Sequence, residues 1–288
     1  MRLVQYRQQG KERLGRLEEE RVIDLQLAAS EAGLDPAPFL STRTLLEAGG
    51  KFLDLARTLQ QRSPLSAEGI ALAPPIRSGK ILAIGLNYRD HAAEAGQSIP
   101  EAPLCFAKFP SCLTGPFDNV EIPAEDAQVD YEAELGVVIG QRTRRVGEHE
   151  AMACVAGYVA FNDVSARRWQ FADGQWTRGK SCDTFGPCGP WLVTSDEIGD
   201  PGSLGIRAYL NGEVVQSSNT DQLIFSVAVL ISYLSQAITL EPGDLIATGT
   251  PAGIGFSRKP PRLLGEGDII EVEIDRIGRI RNEVIRGW

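Results

Sequence analysis

The stretch Val129-Asp130-Tyr131-Glu132-Ala133-Glu134-Leu135-Gly136-Val137-Val138-Ile139-Gly140 limits the fold more than any other part of the chain. The segment reads as a strand with an apolar run behind two acids, and residues two apart in a strand share a face. Glu132 and Glu134 therefore project together, with Tyr131, Ala133 and Leu135 turned the other way. Ionised carboxylates beside such a run are costly unless something pairs with them. The alternative, an exposed edge strand, is the usual reading of an arbitrary Glu-x-Glu; the apolar neighbours speak against it here.

The remaining sequence predicts what surrounds that strand. Leu3 to Tyr6, Arg13 to Leu17 and Val22 to Leu25 read as a small meander of strands. Residues 42–61 then place Leu45, Leu46, Phe52, Leu53, Leu55 and Leu59 at helical spacings, and the prolines between Pro64 and Pro75 end that pattern. A boundary is expected there, with a small N-terminal α/β domain over 1–75 and a catalytic domain over 76–288. Beyond Lys80, strands are predicted over 81–85, 130–140, 157–162, 205–210, 244–248 and 268–274, with a hairpin turn at Asn211-Gly212. Helices are predicted only near 89–95, 166–172 and 225–236. The fold class is α+β and β-rich, without regular βαβ alternation.

Charge and cysteine usage exclude several function classes. The 288 residues hold 29 Lys and Arg against 38 Asp and Glu, a net charge of −9, without any long basic run. Nucleic acid is not an expected partner. No stretch approaches the ~18 apolar residues of a membrane span, and the amino terminus moves straight into charged sequence, so a cytoplasmic location is expected. Five cysteines without a Cys-x-x-Cys pair suggest neither a disulfide framework nor a thiolate zinc site.

Two further segments carry candidate chemistry. The nearly all-apolar Gly157-Tyr158-Val159-Ala160-Phe161-Asn162-Asp163 ends in a carboxylate that can join the glutamate pair. Three carboxylates without histidine or cysteine suit a hard divalent cation, Mg²⁺ or Mn²⁺ before zinc. The competing role for Asp163 is a helix N-cap, because residues 164–168 can start a helix. In Asn87-Tyr88-Arg89-Asp90-His91-Ala92-Ala93-Glu94-Ala95-Gly96, Asn87 is a fair N-cap and Gly96 a fair C′ residue. His91 and Glu94 then share one helical face, as a surface pair or as an imidazole base oriented by a carboxylate. His149, in a charged run, reads as solvated surface.

Two glycine-rich stretches need weighing. Gly174 to Ser181 satisfies the phosphate-loop pattern G-x-x-x-x-G-K-[ST], but no buried strand precedes it and Ser181 to Pro190 cannot form the helix that should follow. A nucleotide-binding protein is accordingly a distant alternative. Lys180 is either an ordinary surface lysine or an ammonium aimed at a developing oxyanion. Ile246 to Gly255 lacks the dinucleotide pattern; it is a tight turn, or a set of amides with the Thr250 hydroxyl that holds a substrate carboxylate.

Taken in order, these residues resemble the fumarylacetoacetate hydrolase family from about Lys80 to the C-terminus. The matching signatures are Asn-Tyr-x-x-His-x-x-Glu (87–94), Asp-Tyr-Glu-x-Glu-Leu (130–135), Asn-Asp-Val-Ser-Ala-Arg (162–167), Gly-Lys-Ser-x-Asp-Thr-Phe-Gly-Pro (179–187) and Thr-Gly-Thr-Pro-x-Gly (248–253). The resemblance implies a mixed β-sandwich roll, usually a homodimer, holding Mg²⁺ or Mn²⁺, with Ca²⁺ able to stand in for them in crystals. It assigns metal binding to Glu132, Glu134 and Asp163, and water activation to His91 with Glu94. It assigns charge neutralisation to Lys180, and substrate contacts to Gln170, Thr250 and Lys108. The residues Ile84-Gly85 offer no acid where the animal fumarylacetoacetase has a further ligand, which argues against fumarylacetoacetate itself. The expected partner is a small 2-oxo or 2,4-dioxo acid, and the expected reaction is hydrolysis of a C–C bond in an acylpyruvate, releasing a pyruvate-type enolate, with a place in aromatic catabolism. The same machinery suits decarboxylation or keto–enol tautomerisation of oxaloacetate, or isomerisation of a 2-hydroxy-diene-dioate. A non-catalytic metal-binding protein is the alternative of another class.

Overall fold

The computed structural model describes residues 1–287. Its first strands, Arg2–Gln8, Lys11–Glu18 and Arg21–Asp24, pair antiparallel in sequence order, as their short apolar stretches predict. Period-two alternation sends Leu3, Leu14 and Ile23 into the main core, and Val4, Tyr6 and Val22 into a smaller cluster. The helical spacing over 42–61 is realised as two helices, Thr42–Ala48 and Gly50–Thr58, separated at Gly49. Ser41 caps the first with a reciprocal bond pair to Thr44.

The expected boundary near residue 75 is not a break in the sheet. Arg2–Gln8 pairs with Gly186–Thr194, which pairs in turn with Val155–Asn162 and so with Ala133–Ile139. Leu245–Ala247, Ile81–Gly85 and Leu104–Lys108 complete the row. Gly186–Thr194 is a strand the sequence reading missed, because two prolines and two glycines hide it. It is nonetheless buried except at Trp191. A second, five-stranded sheet runs in the order Glu213–Asn219, Gly205–Leu210, Ile269–Ile274, Gly278–Arg286, Val120–Ile122. Asn211 and Gly212, both at positive φ, turn the predicted hairpin within it.

The two sheets share one core. Ile206, Ala208, Ile270, Val272 and Ile280 of the smaller sheet are buried in the same cluster as Leu135, Val137 and Tyr158 of the larger. The helix Val227–Ala237, capped by Ser226, adds Val227, Leu230, Ile231 and Leu234 to that cluster. The molecule is thus an α+β, β-rich sandwich. No helix among the described residues is long and apolar enough to cross a membrane.

Candidate active site

Every residue of Ala133–Ile139 is buried, so the acids at its start are carried into the interior. Antiparallel pairing sets Ala133 opposite Asn162 and Glu134 opposite Phe161, which brings Asp163, just past the end of the neighbouring strand, beside both glutamates. Glu132 lies one residue before the strand. Its N–H donates to Asn162 Oδ1 at 3.0 Å, and its carbonyl accepts from the Asp163 N–H at 2.9 Å. Each of Glu132, Glu134 and Asp163 offers one oxygen within 4.8 Å of the others, and all three are buried. Asp163 is not a helix cap: the next helix, Arg167–Ala172, starts from Ala166.

Cations crowd this acidic cluster. The Lys180 ammonium, delivered by the one-turn helix Thr177–Lys180, lies 2.7 Å from Glu132 Oε2 and 2.8 Å from Asp163 Oδ2. That leaves no free lysine for a phosphate loop. Lys108 lies 2.6 Å from Asp163 Oδ1 and also donates to the Lys180 carbonyl. The Arg167 guanidinium spans Glu132 Oε1 at 2.7 Å and Asp130 Oδ2 at 2.7 Å. Glu134 has no such partner among the described residues; it accepts only the Gly249 N–H, at 2.9 Å. Gly249 is at φ +101°, and a Cβ there would lie 2.8 Å from Asn87 Cβ, so the close approach of this turn requires glycine.

The electrostatics separate the two glutamates. Burial alone would raise Glu132, but the Lys180 ammonium and the Arg167 guanidinium outweigh it and bring the carboxyl down to about 2. Burial, Asp163 and Glu132 all push Glu134 well above the usual carboxylate range. An acid that faces two others without its own cation, in an all-oxygen cluster, fits a hard divalent ion.

A cavity of about 470 Å³ opens over this cluster, and His91, Glu94, Glu132, Arg167, Gln170, Lys180 and Thr250 line it. His91 and Glu94 lie on the helix Arg89–Glu94, with Nδ1 3.2 Å from Glu94 Oε2. Gly96, at φ +62°, closes that helix: its N–H reaches Ala93 and the Gln97 N–H reaches Ala92. The expected N-cap is not made by Asn87. Tyr88 stands at that position, while the Asn87 amide bridges the carbonyls of Phe225 and Thr248 and accepts the Phe225 N–H. Glu94 Oε1 accepts the Gly253 N–H at 3.0 Å, and Asp90 accepts the Ser218 hydroxyl at 2.5 Å.

Other expectations resolve differently. Lys108, expected to contact substrate, is fully buried beside Asp163 and is not among the residues that line the cavity. Four amides of the 248–256 turn are taken by side chains: those of Gly249, Gly253, Gly255 and Phe256 go to Glu134, Glu94 and Asp130. Thr250 lines the cavity and accepts from Gln216 Nε2 at 2.8 Å. Gln170 does so while accepting from Arg167 at 3.0 Å. The His149 side chain is 84% exposed, and the five cysteines are free.

Sequence reasoning missed Arg167, Asp130 and Gln216 as site residues. Arg167 and Asp130 stand inside two of the quoted signatures, which was signal enough. Gln216, whose Oε1 accepts the Ala133 N–H at 2.9 Å, is joined to the site only by tertiary pairing.

The chain is similar to known proteins over most of its length. Residues 80–285 match the family described as Fumarylacetoacetate (FAA) hydrolase C-terminal. The chain is 43% identical over 94% of its length to the Dictyostelium discoideum fumarylacetoacetate hydrolase domain-containing protein 2 homolog, covering 92% of that protein. It is 45% identical over 87% of its length to the Rattus norvegicus protein named oxaloacetate tautomerase Fahd2a, mitochondrial, covering 82% of it. The structure of maleylpyruvate hydrolase from Sphingobium sp. SYK-6, in complex with manganese (II) ion and pyruvate, superposes with a TM-score of 0.79 at 30% identity over 100% of both chains. The chain belongs to the fumarylacetoacetate hydrolase family.

Proposed function

We propose that this protein is a divalent-metal-dependent hydrolase that cleaves the C–C bond of an acylpyruvate. The observation that carries the reading is the His91–Glu94 pair lining one cavity with Glu132 and Lys180, above Glu134 and Asp163. Glu132, Glu134 and Asp163 would hold Mg²⁺ or Mn²⁺, which when bound supplies Lewis-acid polarisation of a 2-oxo acid. With Nδ1–H donated to Glu94, His91 Nε2 is free to take a proton from water. The water oxygen bonds to the distal carbonyl carbon, the C–C bond breaks, and its electron pair passes to the pyruvate fragment as an enolate. His91 returns its proton to that carbon, giving a carboxylic acid and pyruvate. Lys180 places positive charge where the enolate forms, and Gln170 and Thr250 offer polar contacts to the substrate.

Incubation of Mn²⁺-loaded protein with acylpyruvates is expected to release pyruvate, and His91→Ala is expected to lower kcat by about 10²–10⁴. Equal rates for wild type and His91→Ala would remove the reading. A second reading, keto–enol tautomerisation of oxaloacetate, is supported by the name of the rat relative, an oxaloacetate tautomerase. It uses the same base to move a carbon-bound proton. Loss of enol-oxaloacetate without any release of pyruvate from acylpyruvates would favour it.

A further inference from the structure

The inner and outer parts of the cavity differ in chemistry. Its cations, Arg167 and Lys180, are both committed to Glu132 and its neighbours at the inner end. The rest of the wall is formed largely by Leu104, Phe106, Phe171, Trp176, Ile254 and Phe256. Phe106 meets Trp176 edge-on at 5.2 Å, and Phe171 meets Phe256 at 5.3 Å. Phe171 is 56% exposed and Phe256 38%, so this aromatic pair stands at the mouth of the cavity.

At the inner end the Lys180 ammonium lies 5.3 Å over the Phe106 ring, but the other neighbouring cations among the described residues are held away from this wall. Arg178 forms a two-pronged pair with Asp173, and Arg258 is bound to the carbonyls of Gly253 and Val215. Arg89 and Lys259 are exposed and outside the lining. Residues 96–103, between the His91 helix and the strand Leu104–Lys108, contain neither lysine nor arginine, so movement of that loop brings no positive charge.

We propose that the outer wall selects a planar, apolar acyl group and rejects one that ends in a carboxylate; this rests on the acylpyruvate reading above. A terminal carboxylate there would lose water without gaining a partner, whereas an aromatic ring would stack on Phe106, Trp176 and Phe171. The rejection follows the general rule that an uncompensated polar group discriminates far more than a missing methylene does.

The test compares kcat/KM for three substrates that share the pyruvate end: benzoylpyruvate, acetylpyruvate and fumarylpyruvate. Benzoylpyruvate is expected to exceed fumarylpyruvate by at least about 10-fold. Phe171→Arg, a change at an exposed rim position, is expected to raise the rate on fumarylpyruvate and narrow the ratio. Calorimetric binding of phenylpyruvate and 2-oxoglutarate to the Mn²⁺-loaded protein gives a readout without turnover, and phenylpyruvate is expected to bind more tightly. Preference for fumarylpyruvate, or tighter binding of 2-oxoglutarate, would overturn the inference. Should none of the acylpyruvates be cleaved while phenylpyruvate still binds more tightly, the selection stands and the hydrolase reading falls.

Discussion

Of the three carboxylates that converge, Glu134 is the one that makes no direct ion pair with the described residues; the protein gives it a single backbone N–H from Gly249. Its buried charge therefore opposes folding in the metal-free protein, and burial together with Asp163 and Glu132 holds its carboxyl in the raised range. Two effects of opposite sign follow for Glu134→Gln. Removal of the charge is expected to raise the melting temperature of metal-free protein by roughly 2–4 °C, the shift that 1 kcal/mol produces in a chain of up to about 250 residues. The same change is expected to weaken Mn²⁺ binding by at least the about 10–100-fold that changes around metal ligands cost. Differential scanning calorimetry and a Mn²⁺ titration check the two, and a variant less stable in both states would contradict the account. Lys180 behaves in the other direction: it pairs with Glu132 and Asp163, so its residue type was legible as chemistry while its burial was not. The sequence shows a Gly-Lys turn; only the packing of that turn against the acidic strand ends makes it a neutralising cation.

Elements differ in how clearly their sequence announces them. The Arg89–Glu94 helix was readable because its C-terminal glycine and the His/Glu spacing are local features. Its start was misread, since Asn87 has the right residue type for a cap but is taken by the carbonyls of Phe225 and Thr248, over a hundred residues away. Gly186–Thr194 was hidden by its prolines, and burial between two partner strands overrides that local discouragement. Asp24 shows how one side chain fixes several elements. It ends the third strand, caps the helix Leu25–Glu31 through the Leu27 N–H at 2.8 Å, and pairs with Arg13 and Tyr6. Burial would raise its carboxyl, but the bonds from Arg13 and Tyr6 outweigh burial and hold it below the ordinary 3.8. The stabilisation is therefore complete above about pH 4 and is lost as the pH falls through the lower, folded value. Asp24→Ala is expected to cost about 3 kcal/mol at pH 7, with the gap to wild type narrowing in strong acid. Urea melts at neutral and strongly acid pH measure this, and a gap of unchanged size in acid would show that the carboxylate charge does not contribute to it.

At the scale of the whole molecule, the first 75 residues and the family-matched 80–285 share a sheet and a core. Composition suggested a boundary because the proline-bearing connection ends the helical pattern; sheet pairing across it is a long-range property that local texture does not reveal. Deletion of residues 1–75 would expose the edge of Gly186–Thr194 and the apolar face that Leu3, Leu14 and Ile23 cover. The truncated chain is expected to be insoluble or molten by near-ultraviolet circular dichroism, and a soluble truncation with native activity would contradict this. Glu132, Glu134 and Asp163, brought together by adjacent strand ends, are proposed to hold one divalent ion within the cavity that His91 lines. The most direct test of this is Mn²⁺ binding followed by electron paramagnetic resonance on wild type and Asp163→Asn. One ion per chain is expected in wild type, with loss of that site in the variant. Absence of bound Mn²⁺ in wild type, or an unchanged site in Asp163→Asn, would contradict the proposal.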